Sequence, residues 1–277
     1  MMYFKSIEWL KERLEDENIR IVDATYSLND HSYGRRTYEQ KHIPGAVHFD
    51  LAHDLSDKVQ KHGGRHPLPD FQKLKQKLGQ AGINEKMTVI TYDRGENCFA
   101  SRFWWLLKYM GHPDVYVLDG GMESWEESDF PITDTIPDYK PVHFTIRMNH
   151  DMLADIADVR AALDKQSAVL IDSRARERYL GLIEPLDRKP GHIPGAINHE
   201  WTDGFKDGKW KSREEQISRF SELDKDSKII VYCGSGVSAT PNIIALLEAG
   251  YKHVKLYAGS YSDWISYPEN PVSKEGN

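Results

Sequence analysis

Cys233 stands where an apolar run, Ile229-Ile230-Val231-Tyr232, gives way to Gly234-Ser235-Gly236-Val237-Ser238-Ala239. β-Branched and aromatic residues followed by small, flexible ones predict a strand, a tight turn and the start of a helix. Such a turn can curl around the sulfur, aiming backbone N–H groups and the positive end of the following helix at it. These are conditions that favour a thiolate nucleophile. A plain core thiol is the competing reading, because free cysteine is among the most buried residue types. Core packing, however, does not call for Gly-Ser-Gly directly after the sulfur.

The elements that must position this residue belong to a chain of 277 residues, long enough for two domains of ordinary size. Its net charge of −7 comes without a basic block, so no electrostatic footprint for nucleic acid or an anionic membrane is expected. Two cysteines make no disulfide framework, and no Cys/His spacing fits a zinc site. Ile7, Leu10 and Leu14 among many charges predict an amphipathic N-terminal helix instead of a signal peptide, and the run Phe103-Trp104-Trp105-Leu106-Leu107 is too short to span a bilayer. A reduced, cytoplasmic setting is the expectation.

The sequence is written twice. Displaced by 149 residues, Ile7, Leu10 and Leu14 fall on Ile156, Val159 and Leu163, and Val22-Asp23 on Ile171-Asp172. One inserted residue later, His42-Ile43-Pro44-Gly45-Ala46 falls on His192-Ile193-Pro194-Gly195-Ala196, and the tails carrying Trp125 and Trp264 also correspond. Each copy alternates short β-branched runs with helical patterns, which predicts an α/β fold with a parallel sheet covered by helices. The three prolines between Pro131 and Pro141 suit a semi-rigid connector. The expected division is residues 1–140, with a linker about 131–148, followed by 149–277. Asp93 sits in the first copy where Cys233 sits in the second, so the first copy should share the fold and lack the chemistry. Because the His-Ile-Pro-Gly-Ala turn and the two tryptophans occur in both copies, His42, His192, Trp125 and Trp264 read as structural. Cys98, just before the helix containing Arg102 and Trp104, reads as a buried or half-buried thiol.

Tandem copies with this turn, an aspartate in the first and a cysteine in the second, resemble the two-domain rhodanese-type sulfurtransferases over essentially the whole chain. The loop Cys233-Gly234-Ser235-Gly236-Val237-Ser238-Ala239 is similar to that of the 3-mercaptopyruvate-using members, whereas thiosulfate-preferring members usually carry basic residues after the cysteine. Ser238 replaces the usual threonine and keeps the hydroxyl. The resemblance implies two rhodanese-like domains and ping-pong sulfur transfer. Cys233 takes sulfur from 3-mercaptopyruvate or thiosulfate as a persulfide and yields it to cyanide, a thiol or a thioredoxin-like acceptor, without cofactor or metal. Backbone N–H groups from Gly234 through Ser235, Gly236 and Val237 to Ser238 would hold the persulfide anion. Arg178 and, with one extra residue in its segment, Arg188 would hold a donor carboxylate. Ser235 and His66 would relay a proton to the leaving group. Ala52 stands where the pattern places the acid of that relay, leaving Asp50 or Asp54 as replacements.

Three other readings compete. A phosphatase on this fold needs an arginine about six residues after the cysteine, where this chain has Ala239. Thiosulfate could be the preferred donor by the same persulfide route. A non-catalytic sulfur-carrier or binding module would more commonly have lost the cysteine, as the first copy has.

Overall fold

The computed structural model describes residues 3–274. In the first copy, strands β1 (Phe4–Lys5), β2 (Ile19–Asp23), β3 (Ala46–His48), β4 (Thr88–Tyr92) and β5 (Val115–Leu118) form one sheet in the order β1-β5-β4-β2-β3. Every pairing in it is parallel. In the second copy, β6 (Leu153–Ala154), β7 (Val169–Asp172), β8 (Ile197–Asn198), β9 (Ile229–Tyr232) and β10 (Val254–Tyr257) repeat that plan as β6-β10-β9-β7-β8, again all parallel. Val22 pairs with Val47 and Thr91, and Ile171 with Ile197 and Val231, so the repeat in the sequence is a repeat in register.

Strand β9 owes its central place to its composition. All four residues are buried, as a strand covered on both faces requires. Helices α1 (Ile7–Lys11), α2 (Tyr33–Gln40), α3 (Phe71–Gln80), α4 (Cys98–Tyr109) and α5 (Gly121–Glu127) accompany the first sheet. Helices α6 (Ile156–Lys165), α7 (Arg176–Tyr179), α8 (Arg213–Arg219), α9 (Thr240–Glu248) and α10 (Ser260–Trp264) accompany the second. Two of them begin with reciprocal caps, Asp155 with Asp158 and Ser212 with Glu215, which supply partners for N–H groups that a helix start leaves over.

The repeated turn is a built joint. His42 Nδ1 bonds the Tyr38 carbonyl at 2.6 Å and its ring stacks on Tyr38, while His192 does the same with Tyr179 at 2.7 Å. The following N–H groups of Ile43 and Ile193 donate to the buried hydroxyls of Tyr92 and Tyr232, and Gly45 and Gly195 take the positive φ that closes the turn. Trp125 and Trp264 are buried, each donating its indole N–H to a proline carbonyl, Pro131 and Pro271. Leu10, Ile90 and Trp125 join the first core, and Val159, Tyr232 and Trp264 the second.

Two compact units result, but they do not follow a single cut. One comprises Met1–Asp57, Pro69–Asn149 and Asp207–Trp210; the other comprises Lys58–Leu68, His150–Lys206 and Lys211–Asn277. Lys58–Leu68 therefore packs with the second unit although it is encoded within the first copy, and the connector stays with the first unit through Asn149. Tyr139 donates to the Gly45 carbonyl and the Val142 N–H to that of Gly79, which holds this connector in place. Among the described residues no helix is long and apolar enough to cross a membrane.

Candidate active site

Cys233 lies at the carboxyl end of β9, where parallel α/β sheets gather their ligands. Its side chain is buried, and the Gly236 N–H donates to Sγ at 3.1 Å. Gly236 adopts φ +78°, and a Cβ there would come within 2.3 Å of the Ala258 carbonyl oxygen, so glycine is required for the loop to pass this close. The loop's carbonyls are drawn outward. Those of Cys233 and Gly234 accept from the Tyr261 and Ser262 N–H groups, and that of Val237 from Thr240. With these acceptors turned away, the donor that faces the sulfur is the Gly236 N–H, which suits negative charge there. Ser260, at φ +56° and fully buried, accepts the Cys233 N–H at 3.1 Å. Helix α9 follows directly, with Pro241 in its first turn.

His66 Nδ1 and Ser235 Oγ are 2.8 Å apart, which brings together the two residues read from sequence as a proton relay. The segment carrying His66 is fastened to α10 and the residues after it. Gly63 N–H donates to Asp263 Oδ1 at 2.7 Å, Arg65 N–H to Ser262 Oγ at 3.1 Å, and His62 bonds Ser266 Oγ while stacking on Tyr267. A Cβ on Gly64 would meet the Gly259 carbonyl at 2.3 Å, so this segment too depends on a glycine.

The predicted carboxylate binders part company. Arg178 bonds Glu184 at 2.7 Å and Asp187 at 3.0 Å through Nη2, beside the Cys233 loop: a Cβ on Gly234 would lie 3.5 and 3.6 Å from its two terminal nitrogens. Arg188 instead donates to the Ile265 carbonyl at 2.6 Å, and no described bond ties it to the loop. Asp50 and Asp54 are occupied in the turn after β3. Asp50 Oδ1 accepts the Ala52 and His53 N–H groups and bonds the His53 ring, while Asp54 Oδ2 accepts the Asp50 N–H and pairs with Lys77. The methyl side chain of Ala52 can neither donate nor accept a proton.

Sequence reading passed over two arginines. The guanidinium of Arg65 pairs with Asp187, and its Nη2 would be 2.7 Å from a Cβ on Gly234. Arg174, buried after β7, grips Asp172 and reaches Glu184 at 3.1 Å. The repeat carried a signal for Arg174, since the first copy has Thr25 at that place. For Arg65 the signal was its adjacency to His66 after a glycine pair.

In the first copy the seat of the sulfur holds a carboxylate that already fills its own cup. Asp93 is fully buried and accepts N–H groups from Gly95, Asn97, Phe99 and Ala100 at 2.8–3.1 Å. Burial pushes its pKa up, against the pull of those four donors. Cys98 opens α4 and is buried. Among the described residues no group of histidine, cysteine, aspartate or glutamate side chains could hold a metal ion.

Comparison with known proteins agrees with this architecture. The rhodanese-like domain family matches residues 6–128 and again 155–267, and the chain belongs to that family. A probable 3-mercaptopyruvate sulfurtransferase of Pseudomonas aeruginosa is 40% identical over 270 residues, covering 95% of each chain. A putative thiosulfate sulfurtransferase of Mycobacterium tuberculosis, SseB, is 34% identical over 264 residues, covering 92% of this chain and 91% of that one. The crystal structure of SseA from Escherichia coli, described as a 3-mercaptopyruvate sulfotransferase, superposes with a TM-score of 0.82 at 31% identity, covering 94% of this chain and 99% of the other.

Proposed function

We propose that this protein is a sulfurtransferase that moves the sulfur of 3-mercaptopyruvate to a thiol, cyanide or a thioredoxin-like acceptor through a persulfide on Cys233. The observation that carries the choice of donor is the 2.8 Å bond between His66 and Ser235, two residues along from the cysteine. Attack of the Cys233 thiolate on the donor sulfur forms an S–S bond and breaks the C–S bond, whose electron pair passes to C3 of the nascent pyruvate. That carbon needs a proton, and the donor's own thiol proton must leave as the persulfide anion forms. A hydroxyl bonded to an imidazole can pass one to the other, so the net change is mercaptopyruvate and thiolate to pyruvate and persulfide anion. N–H groups of Gly234, Ser235, Gly236, Val237 and Ser238 would then hold the terminal sulfur until an acceptor attacks it and releases the thiolate. Thiosulfate releases sulfite, which needs no such proton. Arg178 would supply charge for the donor carboxylate, and we assign Arg188, whose Nη2 donates to the Ile265 carbonyl, a structural role. The first copy, with Asp93 satisfied in its own loop, is a non-catalytic scaffold; the cytoplasm is the proposed compartment.

Steady-state rates with each donor and cyanide as acceptor test the assignment, and a clear preference for thiosulfate overturns it. Arg178→Ala should raise the Michaelis constant for 3-mercaptopyruvate by about tenfold or more, the scale of one lost charge-assisted bond. The constant for thiosulfate should move much less. Equal shifts would remove Arg178 from the donor carboxylate. Asp93→Cys, made together with Cys233→Ser, should acquire no sulfur from either donor, because Arg94, Glu96 and Asn97 do not reproduce the glycine loop. Peptide mass mapping that finds sulfur on residue 93 would refute this account of the first copy.

A further inference from the structure

We propose that Arg65, contributed by the Lys58–Leu68 segment, is the second guanidinium that holds the donor carboxylate, and that Asp187 positions it together with Arg178. The inference rests on the donor assigned above and adds the residues that recognise it. Asp187 has a buried side chain that joins both arginines, Oδ1 with Arg65 Nη1 and Oδ2 with Arg178 Nη2. Glu184 fixes the opposite side of Arg178 through Nε and Nη2. Among the described bonds none uses Arg65 Nη2 or Arg178 Nη1. Those two nitrogens are the ones left beside Gly234, at 2.7 and 3.6 Å from where a Cβ would stand. The side chains keep exposures of 30% and 15%, whereas Asp187 keeps 2%, so the acid is an internal anchor and the two cations are reachable from solvent. Two fixed donors converging next to the nucleophile suit a planar, two-oxygen anion attached to the reacting fragment. Arg188 donates to the Ile265 carbonyl and supplies none of the three atoms nearest that position. The Arg65 backbone N–H is held separately by Ser262, so its side chain can be removed without releasing the segment that carries His66.

The test compares 3-mercaptopyruvate with 1-mercaptopropan-2-one, which has a methyl group in place of the carboxylate, in Arg65→Ala, Arg65→Lys and Arg65→Ala/Arg178→Ala. Arg65→Ala should raise KM for 3-mercaptopyruvate by about tenfold or more, with kcat for the neutral donor changed less than about threefold. Lysine should recover part of the loss, and the double variant should lose less than the product of the single losses, because both cations grip one anion. Inhibition by pyruvate, measured against whichever donor turns over, should weaken in parallel. A wild-type enzyme that accepts thiosulfate and ignores 3-mercaptopyruvate would remove the donor assignment, while pyruvate inhibition would still decide the role of Arg65. Equal losses on both mercaptans, or pyruvate inhibition unchanged in Arg65→Ala, would overturn the proposal and leave Arg65 as a tie to Asp187.

Discussion

Cys233→Ser should leave the protein folded and unable to take up sulfur. Serine is close in size, and its Oγ can accept the Gly236 N–H that now reaches the sulfur at 3.1 Å, so stability should change by no more than about 1 kcal/mol. The chemistry has no such substitute. A serine hydroxyl is a weak nucleophile toward sulfur and cannot carry the transferred atom as a persulfide, so transfer to cyanide should fall by a factor on the order of ten thousand or more. Cys98→Ser is the matched control. That thiol opens α4 in the first unit and is buried, and its replacement should leave transfer intact. Intact mass after incubation with donor reads the result directly: one added sulfur atom in wild type and Cys98→Ser, none in Cys233→Ser. Sulfur retained by the Cys233 variant, or lost from the Cys98 variant, would overturn the assignment of the carrier to Cys233.

Arg174→Ala should be the most destabilising of the substitutions considered, by about 3–5 kcal/mol, because it leaves the buried Asp172 carboxylate without its cation. Arg174 Nε bonds both Asp172 oxygens at 3.1 Å, Nη2 bonds Asp172 at 2.6 Å and the Gly191 carbonyl at 2.7 Å, and Nη1 reaches Glu184 at 3.1 Å. The guanidinium also lies over the Tyr261 ring at 4.0 Å. The Asp172 charge pushes the Arg174 pKa up against the burial that would lower it. Urea denaturation of the full chain measures the loss. Adding Asp172→Asn should recover part of it, since the stranded charge is then gone, whereas an Arg174→Ala variant as stable as wild type would show that water reaches and solvates Asp172. Glu184 touches both Arg174 and Arg178, so the variant should also loosen Arg178 beside the Cys233 loop.

The fold was legible because its signals are local and doubled. Val231-Tyr232-Cys233-Gly234 announces a strand end without knowledge of the rest of the chain, and the paired His-Ile-Pro-Gly-Ala turns supply an internal alignment that fixes the register of both sheets. His66 and Ser235 were found through family resemblance. The partners of the arginines were not legible for a physical reason. A cation's role depends on which carboxylate or carbonyl it reaches: Arg65 and Asp187 are 122 positions apart, and Arg188 donates to the Ile265 carbonyl, 77 positions further on. No period or spacing records such a pairing. Asp50 and Asp54 show the same limit, because the bonds that hold them in the turn after β3 involve backbone N–H groups, which every residue but proline carries.

The Lys58–Leu68 segment also bears on how a duplicated gene can change. While each copy holds every residue its own pocket needs, recombination can exchange, delete or multiply copies freely. Here His66 and Arg65 are inherited with the first copy and fold with the second. A crossover at the connector would part the cysteine from both. With the roles proposed for these two residues, selection on the cysteine would reach back into a stretch of the first copy that carries no cysteine chemistry of its own.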